Sequence, residues 1–138
     1  MLNQIIDGVE KAVDLVATPM TILDLKGRIE HINPPNEELL GRSADELRGR
    51  PIFDILLPDQ QGQPEALLGS ILSQGWLRGV FQNVRPDGTL VPVEVTAEVV
   101  RSSTGEPRWI IASVRDVGQL IRLLEQLSAS ANSLVTQP

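Results

Sequence analysis

The 138-residue chain has no cysteine and no tyrosine, a single histidine, and aromatic residues at only 3%. Without thiols there are no disulfides, no thiolate nucleophile and no cysteine-based metal site. That composition fits a reducing compartment. No apolar run approaches the ~18–20 residues of a membrane span. Asp7, Glu10, Lys11 and Asp14 interrupt the N-terminal stretch where a signal peptide would carry an unbroken apolar core. A cytoplasmic chain is the expectation. Basic residues number 12 against 18 acidic ones, for a net charge of −6, and they form no run. Nucleic-acid phosphates and anionic membranes both demand clustered cations, so neither is an expected partner. One histidine with no cysteine or tyrosine leaves a nucleophile, base and orienting group hard to assemble. Asp54, Asp59, Glu94 and Glu98 read as solvated surface carboxylates, and no catalytic activity is expected.

What is present is an ordinary globular composition, 41% hydrophobic and 22% charged, at a length that suits one domain. Leu2, Ile5, Ile6, Val9, Val13 and Val16 recur at helical spacing, which predicts an amphipathic helix ending before Thr18-Pro19. Two short strands follow, Met20 to Leu25 and Arg28 to Ile32, turned at Lys26-Gly27. Asn33-Pro34-Pro35 breaks the second strand and opens a short helix that stops at Gly41. Ser43 with Asp45 and Glu46 has the pattern of a helix start. Ile52 to Leu57 reads as one more helical turn, and Pro64 to Ser73 as a helix closed by Gly75.

Beyond Gly75 the period becomes two. Trp76 to Val84 is a strand, and Pro86-Asp87-Gly88 a turn. Val91, Val93, Val95, Ala97 and Val99 then alternate with polar residues, as in a sheet with one buried face. Trp109 to Val114 is the last strand, and the chain is helical again from Val117. The expectation is an α+β fold, a five-stranded antiparallel sheet with its short helices on one face, flanked by terminal amphipathic helices.

This order, with its motifs, resembles the PAS family over roughly residues 17–117. The carriers are Asp24 to Ile29 running into Asn33-Pro34, Glu38 to Ser43, Glu46 to Arg50, Gly75-Trp76 with Arg85 to Thr89, and Asp116-Val117-Gly118. The resemblance divides the chain into an N-terminal dimerisation helix (1–16), the PAS domain (17–117) and a C-terminal output helix (118–138). It also implies that Asp116, Val117 and Gly118 couple the sheet to that helix, with Arg42, Arg48 and Arg50 as candidate partners for Asp116. Gly118 stands where the family carries a threonine.

PAS domains often hold a cofactor between sheet and helices. The flavin photoreceptor branch and covalently held chromophores need a cysteine, and haem-binding members use a histidine on the helix before the third strand. All three are disfavoured here, and no cofactor is expected. Trp76, Trp109 and His31 are the only pocket candidates, and weak ones. Trp76 reads more readily as packing and His31 as a strand residue.

Val117, Leu120, Leu124, Leu127, Ala131 and Leu134 follow the alternating three- and four-residue spacing of a coiled-coil seam. A helix of this length is marginal alone in water. With Ile5, Val9 and Val16 it predicts a homodimer held by its terminal helices. The primary reading is a signal-relay module feeding an output domain, such as a two-component sensor kinase, a cyclase or a transcription regulator. The alternative is a sensor with a small apolar or carboxylate ligand in its core.

Overall fold

The computed structural model describes residues 2–58 and 63–136, with side chains for residues 5–57 and 63–130. The side chains of Leu2, Ala131 and Leu134, and the whole of Asp59, lie outside the described residues. Six strands form one antiparallel sheet: β1 Met20–Leu23, β2 Ile29–Ile32, β3 Leu56–Pro58, β4 Trp76–Val84, β5 Leu90–Arg101 and β6 Pro107–Asp116. Their order across the sheet is β2-β1-β6-β5-β4-β3.

The period-two pattern does what it predicts. Val93, Val95 and Ala97 of β5 are buried on the same face as Phe81 of β4 and Ile110, Ala112 and Val114 of β6. Val95 lies opposite Gly79 on one side and Val114 on the other, so large and small side chains interleave. β2 reaches the same end by a different device. Ile32 pairs with Thr21, His31 with Ile22, and then the register slips so that Ile29 pairs with Leu23. The slip turns Ile29 and Ile32 both inward, although they are three apart, and leaves His31 on the outer face.

One face is covered by short helices: α2 Pro34–Leu40, α3 Ala44–Leu47, a 3-10 turn at Ile52–Asp54 and α4 Pro64–Gln74. Each has a local cause. Asn33 caps α2 and prolines open it. Ser43 and Glu46 form a reciprocal capping box on α3. Gly75, at a φ of 89°, ends α4 in a left-handed turn closed to Ile71. Leu40, Leu47, Ile52, Ile55 and Ile71 meet the sheet in one apolar cluster. Each fully buried side chain such as Leu47 or Ile55 contributes ~1.5–3 kcal/mol.

The sixth strand corrects the five-strand expectation. Ile52 to Leu57 is not a single helical turn. The 3-10 turn stops at Asp54, and Leu56 and Leu57 pair with Asn83 and Gln82 of β4.

The terminal helices, α1 Leu2–Asp14 and α5 Gly118–Thr136, attach to the other face. Asp14 meets outward-facing His31, and α5 starts beside Pro92, which alternates with the inward-facing Val93. Val13, Ile22 and Val117 are buried there, outside the main apolar cluster.

Candidate functional site

Between the sheet and the short helices lies an interior cavity of about 40 Å³. Its walls are almost wholly aliphatic, with Phe53 and Phe81, and its polar lining is Thr21 of β1 and Asn36 of α2. Asn36 is fully buried. Its Nδ2 donates to the Thr21 hydroxyl at 2.8 Å and the Met20 carbonyl at 3.2 Å. Its Oδ1 accepts from no protein group. A buried acceptor without a donor costs free energy, and this oxygen is the unsatisfied side-chain atom among the described lining residues. The volume is room for about three water molecules, at ~10–15 Å³ each.

None of the three aromatic candidates reaches this space. Trp76 is 55% exposed. It shares the outer face of β4 with Arg78 and Val80, while Leu77 and Phe81 point in. Trp109 lies opposite Val100, half-buried, on the face away from buried Ile110. His31 Nε2 donates to Asp14 Oδ1, 2.7 Å away, and its Nδ1 is buried without a partner. Strand parity was the available signal. Both tryptophans sit one residue out of phase with the inward-facing positions of their own strands.

The carboxylates do not converge. Glu94 Oε1 holds Arg78 at 3.3 Å and Arg115 at 3.1 Å on the outer face, and Asp54 and Glu98 are exposed. Among the described residues there is no cluster of three metal-ligating side chains, and no helix is long and apolar enough to cross a membrane.

At the root of α5, Asp116 Oδ1 accepts from the Gly118 amide at 2.8 Å. Among the described residues, none of the candidate arginines Arg42, Arg48 and Arg50 forms an ion pair with Asp116. Arg42 reaches the Val84 carbonyl at 3.4 Å, and Arg48 the Glu30 carbonyl at 3.1 Å. Arg122, one helical turn on, lies beside Gly118. A Cβ at position 118 would stand 3.2 Å from Asp116 Oδ1 and 3.3 Å from Arg122 Nη1. That crowding is a physical reason for glycine at this place. Val117 is buried, and its amide donates to the Pro92 carbonyl at 3.0 Å. It therefore belongs to the domain and not to an exposed seam. On α5, Leu120, Leu123, Leu124 and Leu127 are between 46% and 58% exposed. Ile5 is exposed on α1 and Val9 half-buried. Val16 lies past the end of that helix, which stops at Asp14.

The sequence matches the PAS domain family over residues 17–119. The chain belongs to that family. Solved structures agree in fold. The PAS domain of a protein from Colwellia psychrerythraea superposes with a TM-score of 0.65 at 20% identity, covering 83% of this chain and 98% of that one. A LOV protein of Rhodobacter sphaeroides gives a TM-score of 0.72 at 18% identity, covering 86% and 69%. An RNA-binding light-oxygen-voltage receptor gives 0.71 at 22% identity over 99% of this chain, which spans 40% of the receptor.

PAS membership makes this a sensory signalling module and raises the question of a flavin, since a light-oxygen-voltage domain is among the structures of like fold. The residues present do not fit one. The PAS cavity here is about 40 Å³, against ~300 Å³ or more for sites that hold drug-sized ligands. Its wall offers two polar side chains and no thiol.

Proposed function

We propose that this PAS domain is a non-catalytic signal-relay module that works without a resident haem, flavin or linked chromophore. In this reading it homodimerises through its terminal helices and transmits through α5 to an output domain. The observation that carries the proposal is the line of half-exposed leucines on α5. An isolated helix of this kind is marginal in water, and a contiguous apolar stripe on a stable helix calls for a partner surface. A second copy supplies a matching one. The fastening of the start of α5 to two strands, through the Val117 amide on Pro92 of β5 and the Gly118 amide on Asp116 of β6, supports transmission from the sheet into the helix.

Sedimentation of the wild type and of a Leu124→Glu/Leu127→Glu variant tests this. The wild type should sediment as a dimer at micromolar concentration. The variant should be monomeric, with an unchanged sheet signal in circular dichroism, because like charges would face each other across the seam. A monomeric wild type, or a dimeric variant, overturns the coil.

A second reading, a small-molecule sensor, is favoured by Asn36 Oδ1. An unpartnered acceptor in an apolar wall selects a small neutral molecule bearing a hydrogen-bond donor, and repels a carboxylate. Native mass spectrometry of freshly purified protein separates the two readings. Bound mass of such a molecule supports the sensor, and bare protein supports the relay.

A further inference from the structure

Asn33, the residue ahead of the two prolines, does more than cap α2. It is fully buried, and its amide joins three elements. Oδ1 accepts from the Met20 amide at 2.8 Å, at the start of β1, and from the Asn36 amide at 3.3 Å, in the first turn of α2. Nδ2 faces the carbonyls of Val13, Val16 and Thr18, at 3.0, 3.3 and 2.9 Å. The last turn of a helix leaves carbonyls without intrahelical partners. Here the residue that follows β2 bonds to one of them, the carbonyl of Val13, and to those of Val16 and Thr18 in the link beyond the helix.

Little else fastens α1. Val13 is its one buried residue among the described side chains, and the His31–Asp14 contact sits at its final residue. Ile6, Val9 and Glu10 are half-buried further up the helix, and its polar contacts cluster within a few residues of its C-terminal end. The same cluster touches the interior. Asn36, whose amide bonds to Asn33, lines the cavity and grips Met20 and Thr21. The Met20 peptide is therefore held at its N–H by Asn33 and at its C=O by Asn36.

From this we propose that the Asn33 amide is a latch on α1, that docked and released α1 are two states of a regulatory device, and that Asn36 wires the latch to the cavity wall. Release would uncover Ile22, fully buried and directly opposite His31, and free the apolar stripe of α1. The device stands whether or not the chain dimerises. It needs no change in the sheet, because the bonds that hold α1 are not ladder bonds.

Aspartate at position 33 divides the latch. Asn33→Asp keeps an acceptor for Met20 and Asn36, and turns an oxygen toward three carbonyls where Nδ2 had donated. Amide hydrogen exchange on the full chain reads the result. Exchange in the last turn of α1 should rise by about tenfold in Asn33→Asp, from the loss of the donor to Val13 and to the link beyond it, while β5 and β6 keep their protection. Thr21→Val, which removes one partner of Asn36 at the cavity wall, should raise α1 exchange by about threefold. If α1 keeps its protection in Asn33→Asp, or if α1 and the sheet lose it together, the latch is refuted. If Thr21→Val leaves α1 untouched, the connection to the cavity is refuted. Should Asn33→Asp fail to fold, Asp14→Ala removes the neighbouring tie from a half-exposed carboxylate. It must loosen α1 alone for the proposal to survive.

Discussion

The two terminal helices make a useful pair because they look alike in sequence and are attached by different means. Each is amphipathic, and each joins the domain at the outer face of the sheet. α5 follows β6 with Val117 alone between them, and main-chain bonds fix its start, the Val117 amide on Pro92 of β5 and the Ile121 amide back on Val117. One side-chain bond is added, from Gly118 to Asp116. α1 is separated from β1 by Leu15 to Pro19 and is held by side chains, Asn33 and His31. A helix rooted in a strand moves when the strand moves. A helix held by a borrowed amide can leave without disturbing a strand. Amphipathic periodicity describes the faces of a helix and says nothing about how firmly its end is fixed.

The largest effect expected from breaking this contrast is at Asn33→Ala. It removes the cap of α2, the acceptor at the head of β1 and the donor to α1 in one step. Leaving that many buried groups unpaired should cost about 3 kcal/mol or more, read by chemical denaturation. A loss below about 1 kcal/mol would mean that water replaces the amide without strain.

Asp116→Ala tests the other root. Losing one cap should cost about 0.5–2 kcal/mol and loosen the first turn of α5 in hydrogen exchange, with α1 unaffected. Equal loosening of both helices would erase the distinction between them.

The smallest effect belongs to a control far from either helix. In the turn between β4 and β5, the Thr89 hydroxyl, 2.7 Å from Asp87, and then the Thr89 amide hold the Asp87 carboxyl below the usual carboxylate range. A lowered folded-state value stabilises the fold above the ordinary carboxylate pKa. That stabilisation fades as pH falls through the lowered one. Thr89→Val should raise the Asp87 titration toward the ordinary range in an NMR pH series and weaken the stabilisation present at neutral pH. Both helices should keep their exchange protection at neutral pH.

Much of this fold was legible because local rules and tertiary structure agree. The alternation of Val91 to Val99, the capping pattern at Ser43 and the stop at Gly75 all carry their own physical cause. Strand β3 was not legible, since Leu56-Leu57-Pro58 has no alternation and becomes a strand only because β4 offers an unpaired edge. Val117 was misassigned to the seam because heptad spacing cannot register that a helix root is buried. The pocket candidates failed for a simpler reason. Aromatic identity was weighed without strand parity, which sends Trp76 and Trp109 outward. Asn33 was visible as a strand breaker ahead of proline, but its long-range partners lie 13 to 20 residues earlier in the chain. No local pattern marks contacts at that range.

A residue that answers to three elements at once has little freedom to drift. Aspartate matches the acceptor half of Asn33 and lacks the donor half. Serine falls short of the distant carbonyls, and glutamine is one methylene too long for a site with no space around it. Whatever sequence changes α1, β1 and α2 accumulate over generations, they must do so around a fixed amide. The N-terminal helix can therefore be exchanged for another of similar shape only if its final turn still presents carbonyls to the same nitrogen. That constraint would be seen as a single intolerant position in a saturation library, flanked by a helix whose outward residues vary freely.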